Sequence, residues 1–307
     1  MALGVTGASG FLGLNSISAI CESTDSQVVI FHRDSTNIHI IKKRLNNNQI
    51  VFANLDVVNL DQVFSKNKID SILHMATNYG RYPEKRTGDN NRNQVLGLVD
   101  VVSSNLILPL SLLEVGKNFG IKKFINIDSY FNKGSQIYTA LFNYSNSKRA
   151  LNSWLEFHSK DLSVVNLQVE HMYGPGDSSK KFVPQVLNAA KKSDLNFKLS
   201  PGQQILDFVY VSDVTSAIIA GLLNFSTIGF HNLEVGTGIG TKLADFVKIA
   251  YESTGNQGYP KFGTIPYRQQ EIMNSTADLR TWPNNLWQPT IKLTDGIALT
   301  LMKDENL

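Results

Sequence analysis

The chain of 307 residues contains little cysteine, little net charge and no long apolar run. Its single cysteine, Cys21, has no partner for a disulfide bond or a thiolate metal site. The 29 basic and 26 acidic residues leave a net charge of +3. This surplus is too small to indicate a nucleic-acid-binding or membrane-surface protein.

Segments that would direct the chain out of the cytoplasm are also missing. No stretch approaches the roughly 18 consecutive apolar residues of a membrane span. Residues 1–6 lack the basic and apolar regions of a signal peptide. We therefore expect a soluble cytoplasmic protein with no metal, no membrane and no nucleic acid among its partners.

Short β-branched runs alternate with helical patterns through the first half of the chain. This alternation predicts an α/β fold with a doubly wound parallel sheet, the Rossmann arrangement. A helical stretch over 94–118 contains Pro109, which should end or kink the helix. The predicted strands are residues 3–6, 27–32, 49–53, 71–75, 123–127 and 163–169.

The regularity weakens after about Tyr173, where a turn cluster begins. We expect residues 1–170 to form the Rossmann domain and 171–307 to form mainly a smaller C-terminal α/β lobe. Within that lobe, about 205–235 are expected to return to the first domain. A strand is predicted at 208–213, and further helices at 181–192, 242–253 and 293–302.

A glycine-rich turn follows the first strand and opens the first helix, with the spacing Gly-x-x-Gly-x-x-Gly. Glycines in this place permit a tight turn and close approach of the backbone to a diphosphate, while the helix N-terminus supplies N–H groups. The pattern alone could be an ordinary βα turn, but its strand–helix context predicts dinucleotide binding. The residues expected at the cofactor are Gly7, Ser9, Gly10, Phe11, Leu12 and Gly13.

This glycine spacing resembles that of the extended short-chain dehydrogenase/reductase superfamily, and the resemblance continues at intervals to about residue 300. It implies a nicotinamide cofactor and a nucleotide-sugar substrate. It also implies that Asp56 and Val57 lie at the adenine, and Met75, Ala76 and Thr77 along the ribose and diphosphate.

The end of the second strand bears on which dinucleotide binds. An NAD-preferring site usually has an acid there for the ribose 2′-OH, but His32 takes its place and Arg33 follows. A cation, with the hydroxyl of Ser35 nearby, favours the 2′-phosphate of NADP(H) over NAD(H). Two alternatives stay open: Arg33 is merely solvated, or Asp34 turns inward.

A tyrosine and a lysine lie four residues apart on a predicted helix, so Tyr144 and Lys148 share one face. A nearby ammonium lowers the pKa of a phenol and suits it to acid–base work. In the family that the chain resembles, a hydroxyl at the end of the fifth strand completes the set. The resemblance therefore implies a catalytic triad of Ser129, Tyr144 and Lys148, the last two also touching the cofactor.

The second half of the chain resembles the sugar-nucleotide lobe of the same superfamily. His171 stands where the family usually has asparagine, and either bonds the sugar or packs in the interior. The resemblance also places Phe182, Arg268 and Arg81 at the substrate, together with Ser129. Leu206 replaces an arginine that commonly precedes the Asp-Phe pair, which removes one expected diphosphate contact.

The residues after Ser129 distinguish between reactions. Related 4,6-dehydratases have an Asp-Glu pair there, whereas residues 130–132 here are Tyr-Phe-Asn, which argues against elimination of water. The chain looks most like 4-ketosugar reductases of the CDP-abequose and CDP-paratose synthase type, which act on CDP-4-keto-3,6-dideoxyglucose for bacterial O-antigen. The resemblance thus implies NADPH-dependent reduction of a 4-keto group, with surface polysaccharide as the destination.

Two other functions are weighed against this one. An NAD-dependent nucleotide-sugar 4-epimerase uses the same triad but retains its cofactor. A catalytically silent NADP-binding regulator is disfavoured because all three triad residues are present. The resemblance further implies a homodimer, formed through helices near residues 93–118 and 144–160.

Overall fold

The computed structural model describes residues 2–45, 50–80, 97–134, 141–268 and 270–304. The chain divides into two compact units. One contains Met1–Gln168 and Ile218–Leu233, and the other contains Val169–Ala217 and Glu234–Leu307. The stretch that returns to the first unit is thus shorter than the expected 205–235.

The first unit is built on a seven-stranded sheet with the order β10-β6-β5-β4-β1-β2-β3. β1 pairs in parallel with both β2 and β4, and the β2–β3 and β4–β5 pairs are parallel too. The predicted doubly wound α/β sheet is confirmed. Its strands are β1 (Ala2–Thr6), β2 (Gln27–His32), β3 (Ile50–Asn54), β4 (Ile69–His74), β5 (Lys123–Ser129), β6 (Ser163–Val169) and β10 (Gly229–Val235).

Helices connect these strands and bury apolar faces against the sheet. Phe124 and Ile72 on the sheet pack in one buried cluster with Leu112, Leu151 and other helix residues. Burial of such side chains is the main stabilising contribution to a core of this kind. The helices are α1 (Phe11–Glu22), α2 (Ile38–Arg44), α3 (Leu60–Asn67), α4 (Gly97–Asn118) and α5 (Phe142–His158).

Helix α4 continues through Pro109 instead of ending there, and it changes to a π-helical turn over Ser103–Ile107. Proline removes an N–H and crowds the carbonyl four residues back, so a wider turn just before it relieves that conflict. With 22 residues, α4 is long and apolar enough to cross a membrane by length and composition alone. Leu112 and Leu113 of this helix lie in the buried core cluster, as in the core helices of many globular proteins.

The strand order places a crevice at the carboxyl ends of β1 and β4. β1 and β4 are neighbours, and the chain continues from β1 to β2 on one side and from β4 to β5 on the other. Ligands of doubly wound sheets bind at such a switch point. The backbones that follow the two strands are in close contact there. A Cβ on Gly7, which has φ +76°, would lie 2.5 Å from the backbone nitrogen of Ala76.

The second unit contains two small sheets. β7 (His171–Tyr173) pairs in parallel with β9 (Phe208–Tyr210), while β8 (Ile205–Leu206) lies between β11 (Thr241–Lys242) and β12 (Asn274–Ser275). The predicted strand over 208–213 ends early because a helix begins at Val211. The remaining helices are α6 (Phe182–Lys191), α7 (Val211–Asn224), α8 (Leu243–Glu252) and α9 (Leu293–Asp304).

The aspartate of the Asp-Phe pair after Leu206 has a structural role in the second unit. Asp207 is fully buried and accepts hydrogen bonds from the backbone N–H groups of Thr237, Gly238 and Ala277. A buried charge is tolerated when donors surround it in this way. Asp207 therefore holds three loop residues in place.

Candidate active site

The three glycines of the turn after β1 differ in what the fold demands of them. A Cβ on Gly13 would lie 2.2 Å from the carbonyl oxygen of Gly7, so the helix can approach the strand only without a side chain. A Cβ on Gly10 would meet nothing closer than that oxygen at 3.3 Å. Packing thus requires Gly7 and Gly13, whereas Gly10 leaves open space at the N-terminus of α1.

The other residues of the turn are placed as a phosphate-binding loop would need. Ser9 and Gly10 are exposed, and Gly10 is the N-cap of α1 without any side chain to cap the first turn. Phe11 is half-buried. Leu12 is buried in the core, so only its backbone could contact a ligand. An open, uncapped helix start of this kind suits an anion such as a diphosphate.

Arg33 at the end of β2 has a definite partner. Its Nη2 donates a hydrogen bond to Ser104 Oγ of α4, 2.9 Å away. The neighbouring Asp34 carboxylate accepts a hydrogen bond from the Asn54 side chain, and the Asp34 N–H donates to Asp56 Oδ2 at 2.7 Å. The guanidinium is therefore held at the strand end, and Asp34 is held by the end of β3.

The remaining predicted cofactor residues lie at the ends of β2, β3 and β4. The ring of His32 packs edge-on against Phe52, 6.1 Å between centroids. Met75 is buried, and the Ala76 N–H donates to Thr6 Oγ1 at 3.2 Å. The exposed positions among them are Ser35, Asp56, Val57 and Thr77.

The structure brings Ser129, Tyr144 and Lys148 together. Ser129 is the last residue of β5, and a hydrogen bond joins its hydroxyl to that of Tyr144. Tyr144 and Lys148 lie one turn apart on α5, with 5% and 1% of their surfaces exposed. Lys148 Nζ donates to the carbonyl oxygen of Ile127, 2.6 Å away. The three side chains of the implied triad thus share one buried site.

Burial dominates the electrostatics of this site. It lowers the pKa of Lys148 from 10.5 to about 8, although the Asp128 carboxylate favours the charged form. Burial raises the pKa of Tyr144 well above 10, and Tyr79 and Asp128 raise it further, while the hydrogen bond from Ser129 opposes them. The pKa of Tyr144 is thus raised and not lowered as expected, because burial makes the largest contribution to it.

Asp128 lies in the middle of a buried amide network. Its carboxylate accepts from the side-chain nitrogens of Asn132 at 2.7 Å and Asn166 at 3.2 Å, and also from Asn152 on α5. The sequence analysis did not use this residue as a site element. No acid other than Asp128 lies among residues 123–134, the described stretch around Ser129.

His74 at the end of β4 is another buried neighbour, and it begins the segment that the resemblance places along the ribose and diphosphate. Its Nδ1 lies 2.9 Å from Thr6 Oγ1, and its Nε2 has no hydrogen-bond partner. Burial, and then Lys148, lower the pKa of His74 well below 6.5. The imidazole is therefore neutral at physiological pH and adds no charge to the site.

Tyr79, in the segment after β4, is an aromatic neighbour of Tyr144. The two rings stack with 4.6 Å between centroids and 23° between planes. Phe131, which follows β5, packs edge-on against Tyr144, with 6.1 Å between the ring centroids. No sequence signal distinguished Tyr79, because its role depends on a contact across 65 residues of chain.

The predicted substrate residues lie mostly in the second unit. His171 packs against Phe208 at 5.6 Å between centroids, and Phe182 packs against Phe246 at 5.9 Å. Phe208 and Phe246 stack at 4.3 Å, so His171 and Phe182 flank one aromatic cluster. Burial and then Lys181 lower the pKa of His171 to about 4, which keeps it neutral. The exposed Arg268 precedes β12, and Arg81 lies outside the described residues.

Comparisons with known proteins agree with this architecture. A model of the NAD dependent epimerase/dehydratase family matches residues 3–236. A CDP-abequose synthase of Salmonella typhimurium is 32% identical over 97% of this chain and 97% of its own length.

Solved structures show the same fold at lower identity. The UDP-glucose 4-epimerase of Thermotoga maritima, with UDP-glucose, has a TM-score of 0.77 and 21% identity, covering 100% of this chain and 99% of its own. The dTDP-glucose 4,6-dehydratase of Bacillus anthracis, in complex with NAD, has a TM-score of 0.79 and 18% identity, covering 100% of this chain and 97% of its own.

Proposed function

The chain belongs to the NAD dependent epimerase/dehydratase family, and from this premise we propose that it reduces the 4-keto group of a nucleotide-linked deoxy sugar with NADPH. One observation carries the proposal. Ser129, Tyr144 and Lys148 share one buried site at the end of β5, and burial raises the pKa of the Tyr144 phenol, which therefore keeps its proton at neutral pH. Reduction of a ketone needs such a proton donor at the carbonyl oxygen.

The cofactor is proposed to bind along the switch point of the first unit. The open backbone at Gly10 and the start of α1 would hold the diphosphate. Arg33, steadied by Ser104, would pair with the 2′-phosphate and so prefer NADP(H). The adenine and ribose would lie against the exposed ends of β2, β3 and β4. When bound, the cofactor supplies the hydride equivalent for the reduction.

Three side chains of the site would stabilise the negative charge that develops on the substrate oxygen. Ser129 and Tyr144 would both donate hydrogen bonds to the C4 carbonyl oxygen, and Tyr144 would transfer its proton to it as negative charge develops. Lys148, kept charged in part by Asp128, would bind the nicotinamide ribose and stabilise the resulting phenolate. The absence of an Asp-Glu pair after Ser129 leaves no acid and base for loss of water.

The proposed substrate resembles CDP-4-keto-3,6-dideoxyhexose. The similarity to a CDP-abequose synthase over nearly the full chain supports this class. We assign dinucleotide binding to the first unit and sugar-nucleotide binding mainly to the second. His171 and Phe182 would contact the sugar nucleotide, Arg268 its diphosphate, and Arg81 would approach it from the segment after β4. The product would serve bacterial surface polysaccharide synthesis in the cytoplasm.

A homodimer is proposed on the basis of exposed apolar side chains on two helices of the first unit. Val99 and Ile107 on α4 are 56% and 53% exposed, and Trp154 and Phe157 on α5 are 51% and 62% exposed. Exposed apolar residues on these two helices favour association with a second copy.

The second candidate function is 4-epimerisation with tightly held NAD. The same Ser129–Tyr144–Lys148 set would serve it, and epimerases occur among the proteins of similar fold. The two reactions differ in the fate of the cofactor, which a reductase consumes and an epimerase recycles.

The test is to denature the purified protein and identify any released nucleotide by chromatography. We expect NADP(H), or an empty protein that then binds NADPH more tightly than NADH. Stoichiometric NAD⁺ would replace the reductase with the epimerase and would contradict the role of Arg33.

A further inference from the structure

Tyr79 and Tyr144 form a pair of phenols joined by both their rings and their hydroxyls. The rings stack at 4.6 Å, and the Tyr144 hydroxyl also shares a hydrogen bond with the Tyr79 hydroxyl. The Ser129 hydroxyl bonds Tyr144 as well. A continuous chain of three hydroxyls thus runs from the end of β5 to the segment after β4.

The backbone around Tyr79 is fixed and does not depend on the ring stack. The side chain of Asn105, in the π-helical turn of α4, accepts from the N–H of Asn78 at 2.7 Å and donates to its carbonyl oxygen at 2.8 Å. The Asn78 side chain accepts in turn from the Gly80 N–H at 3.0 Å. A residue clamped on both sides presents its side chain in a defined position.

The two phenols differ in their access to water. Tyr144 is 5% exposed, whereas Tyr79 is 42% exposed. Lys148, one helical turn after Tyr144, is 1% exposed, and its ammonium donates to the carbonyl oxygen of Ile127. Within the described residues, Tyr79 is therefore the neighbour of Tyr144 that both bonds its hydroxyl and reaches solvent.

We propose that Tyr79 relays a proton from solvent to Tyr144 after each turnover. The inference rests on the proposed reduction, in which Tyr144 gives its proton to the C4 oxygen and becomes a phenolate. The O–H bond of Tyr79 then breaks as that of Tyr144 re-forms, and Tyr79 recovers a proton from water. Only protons move in this step, and one proton is taken from solvent for each ketone reduced. Tyr79 is accordingly a positioning and relay residue for Tyr144.

The test compares Tyr79→Phe with wild type, because phenylalanine keeps the ring stack and removes only the hydroxyl. Tyr259→Phe, which removes the hydroxyl of an exposed tyrosine in the second unit, is the matched control. For Tyr79→Phe we expect kcat to fall about tenfold, with unchanged KM values. This is less than the roughly 10²- to 10⁴-fold contribution of a group that exchanges its proton directly with the substrate. At fixed pH and ionic strength, increasing imidazole buffer should restore the rate of this variant and leave wild type unaffected.

A readout without turnover separates this inference from the proposed function. In urea unfolding, the shifts caused by Tyr79→Phe and Tyr144→Phe should fail to add in the double variant, because the two hydroxyls bond each other. Additive shifts, or a kcat within twofold of wild type with no response to buffer, would overturn the relay. A wild type without ketone reduction would overturn the proposed function, and the unfolding cycle would still report on the hydroxyl pair.

Discussion

Lys148 donates a hydrogen bond from its ammonium to the carbonyl oxygen of Ile127, 2.6 Å away and two residues before Ser129. This bond ties helix α5 to the end of strand β5. Since Tyr144 lies one turn before Lys148, the same bond fixes the phenol relative to the Ser129 hydroxyl. Placing a lysine in so buried a position costs stability, and the cost can be measured.

The stability of the protein should depend on pH through Lys148. Burial lowers its pKa to about 8 in the folded chain, against 10.5 for an ordinary solvated lysine. The unfolded chain therefore binds more protons between these values, and stability rises with pH across that window. From pH 7 to 9.5, the free energy of unfolding should rise by about 2 kcal/mol more in wild type than in Lys148→Met. Parallel urea-unfolding results for the two proteins would contradict the burial of a charged Lys148.

Replacing Tyr144 should separate binding from chemistry. Tyr144→Phe keeps the ring between Tyr79 and Phe131 but removes the proton donor, so we expect kcat to fall by about 10²- to 10⁴-fold. NADPH affinity, followed by nicotinamide fluorescence, should stay within a factor of about three of wild type. This factor corresponds to about 0.7 kcal/mol of binding free energy. Unchanged turnover would remove Tyr144 from the mechanism.

Two glycines of the same turn should respond differently to alanine. Gly13→Ala places a Cβ 2.2 Å from the Gly7 carbonyl oxygen and should destabilise the fold by about 1–3 kcal/mol. Gly10→Ala should lose far less stability, because its Cβ has one tight contact, with the Gly7 carbonyl oxygen at 3.3 Å, which a small shift relieves. It should nevertheless lose about tenfold or more in NADPH affinity, as the methyl fills space meant for the diphosphate. Thermal unfolding and NADPH titration of both variants check the contrast, and a Gly10→Ala that binds normally would place the diphosphate elsewhere.

Arg33 should decide between the two dinucleotides. Loss of a charge-assisted bond to the 2′-phosphate predicts that Arg33→Ala weakens NADPH about ten- to a hundredfold and leaves NADH unchanged. Ser104→Ala should have a smaller effect in the same direction, because it removes the 2.9 Å bond that steadies the guanidinium. Arg280→Ala, which removes an exposed arginine paired with Asp278, serves as the control. Equal losses for NADPH and NADH would mean that Arg33 contacts no 2′-phosphate.

The sequence was sufficient where a pattern is local. Strands Gln27–His32 and Ser163–Val169 were located to the residue, because turn residues bound each apolar run. Strand Gly229–Val235 was not predicted, since four of its first five residues are only partly buried or exposed and the alternation is weak. The two-residue strands of the second unit form through distant pairings that no local pattern records.

The same distinction applies to the site. Tyr144 and Lys148 could be found from a spacing of four on a helix, and the three glycines from their place between strand and helix. Tyr79 and Ser104 could not, because each acts on a residue about 70 positions away. The raised pKa of Tyr144 also escaped prediction, since the degree of burial follows from the packed fold and not from which residues are neighbours in sequence.

The most direct test of the central claim is the stoichiometry of cofactor use with a nucleotide-linked 4-keto-deoxy sugar. The account predicts that one NADPH is oxidised for each ketone consumed, followed at 340 nm, and that deuterium from labelled NADPH appears at C4 of the product sugar. Conversion of a nucleotide sugar to its C4 epimer without net change in the cofactor would contradict it.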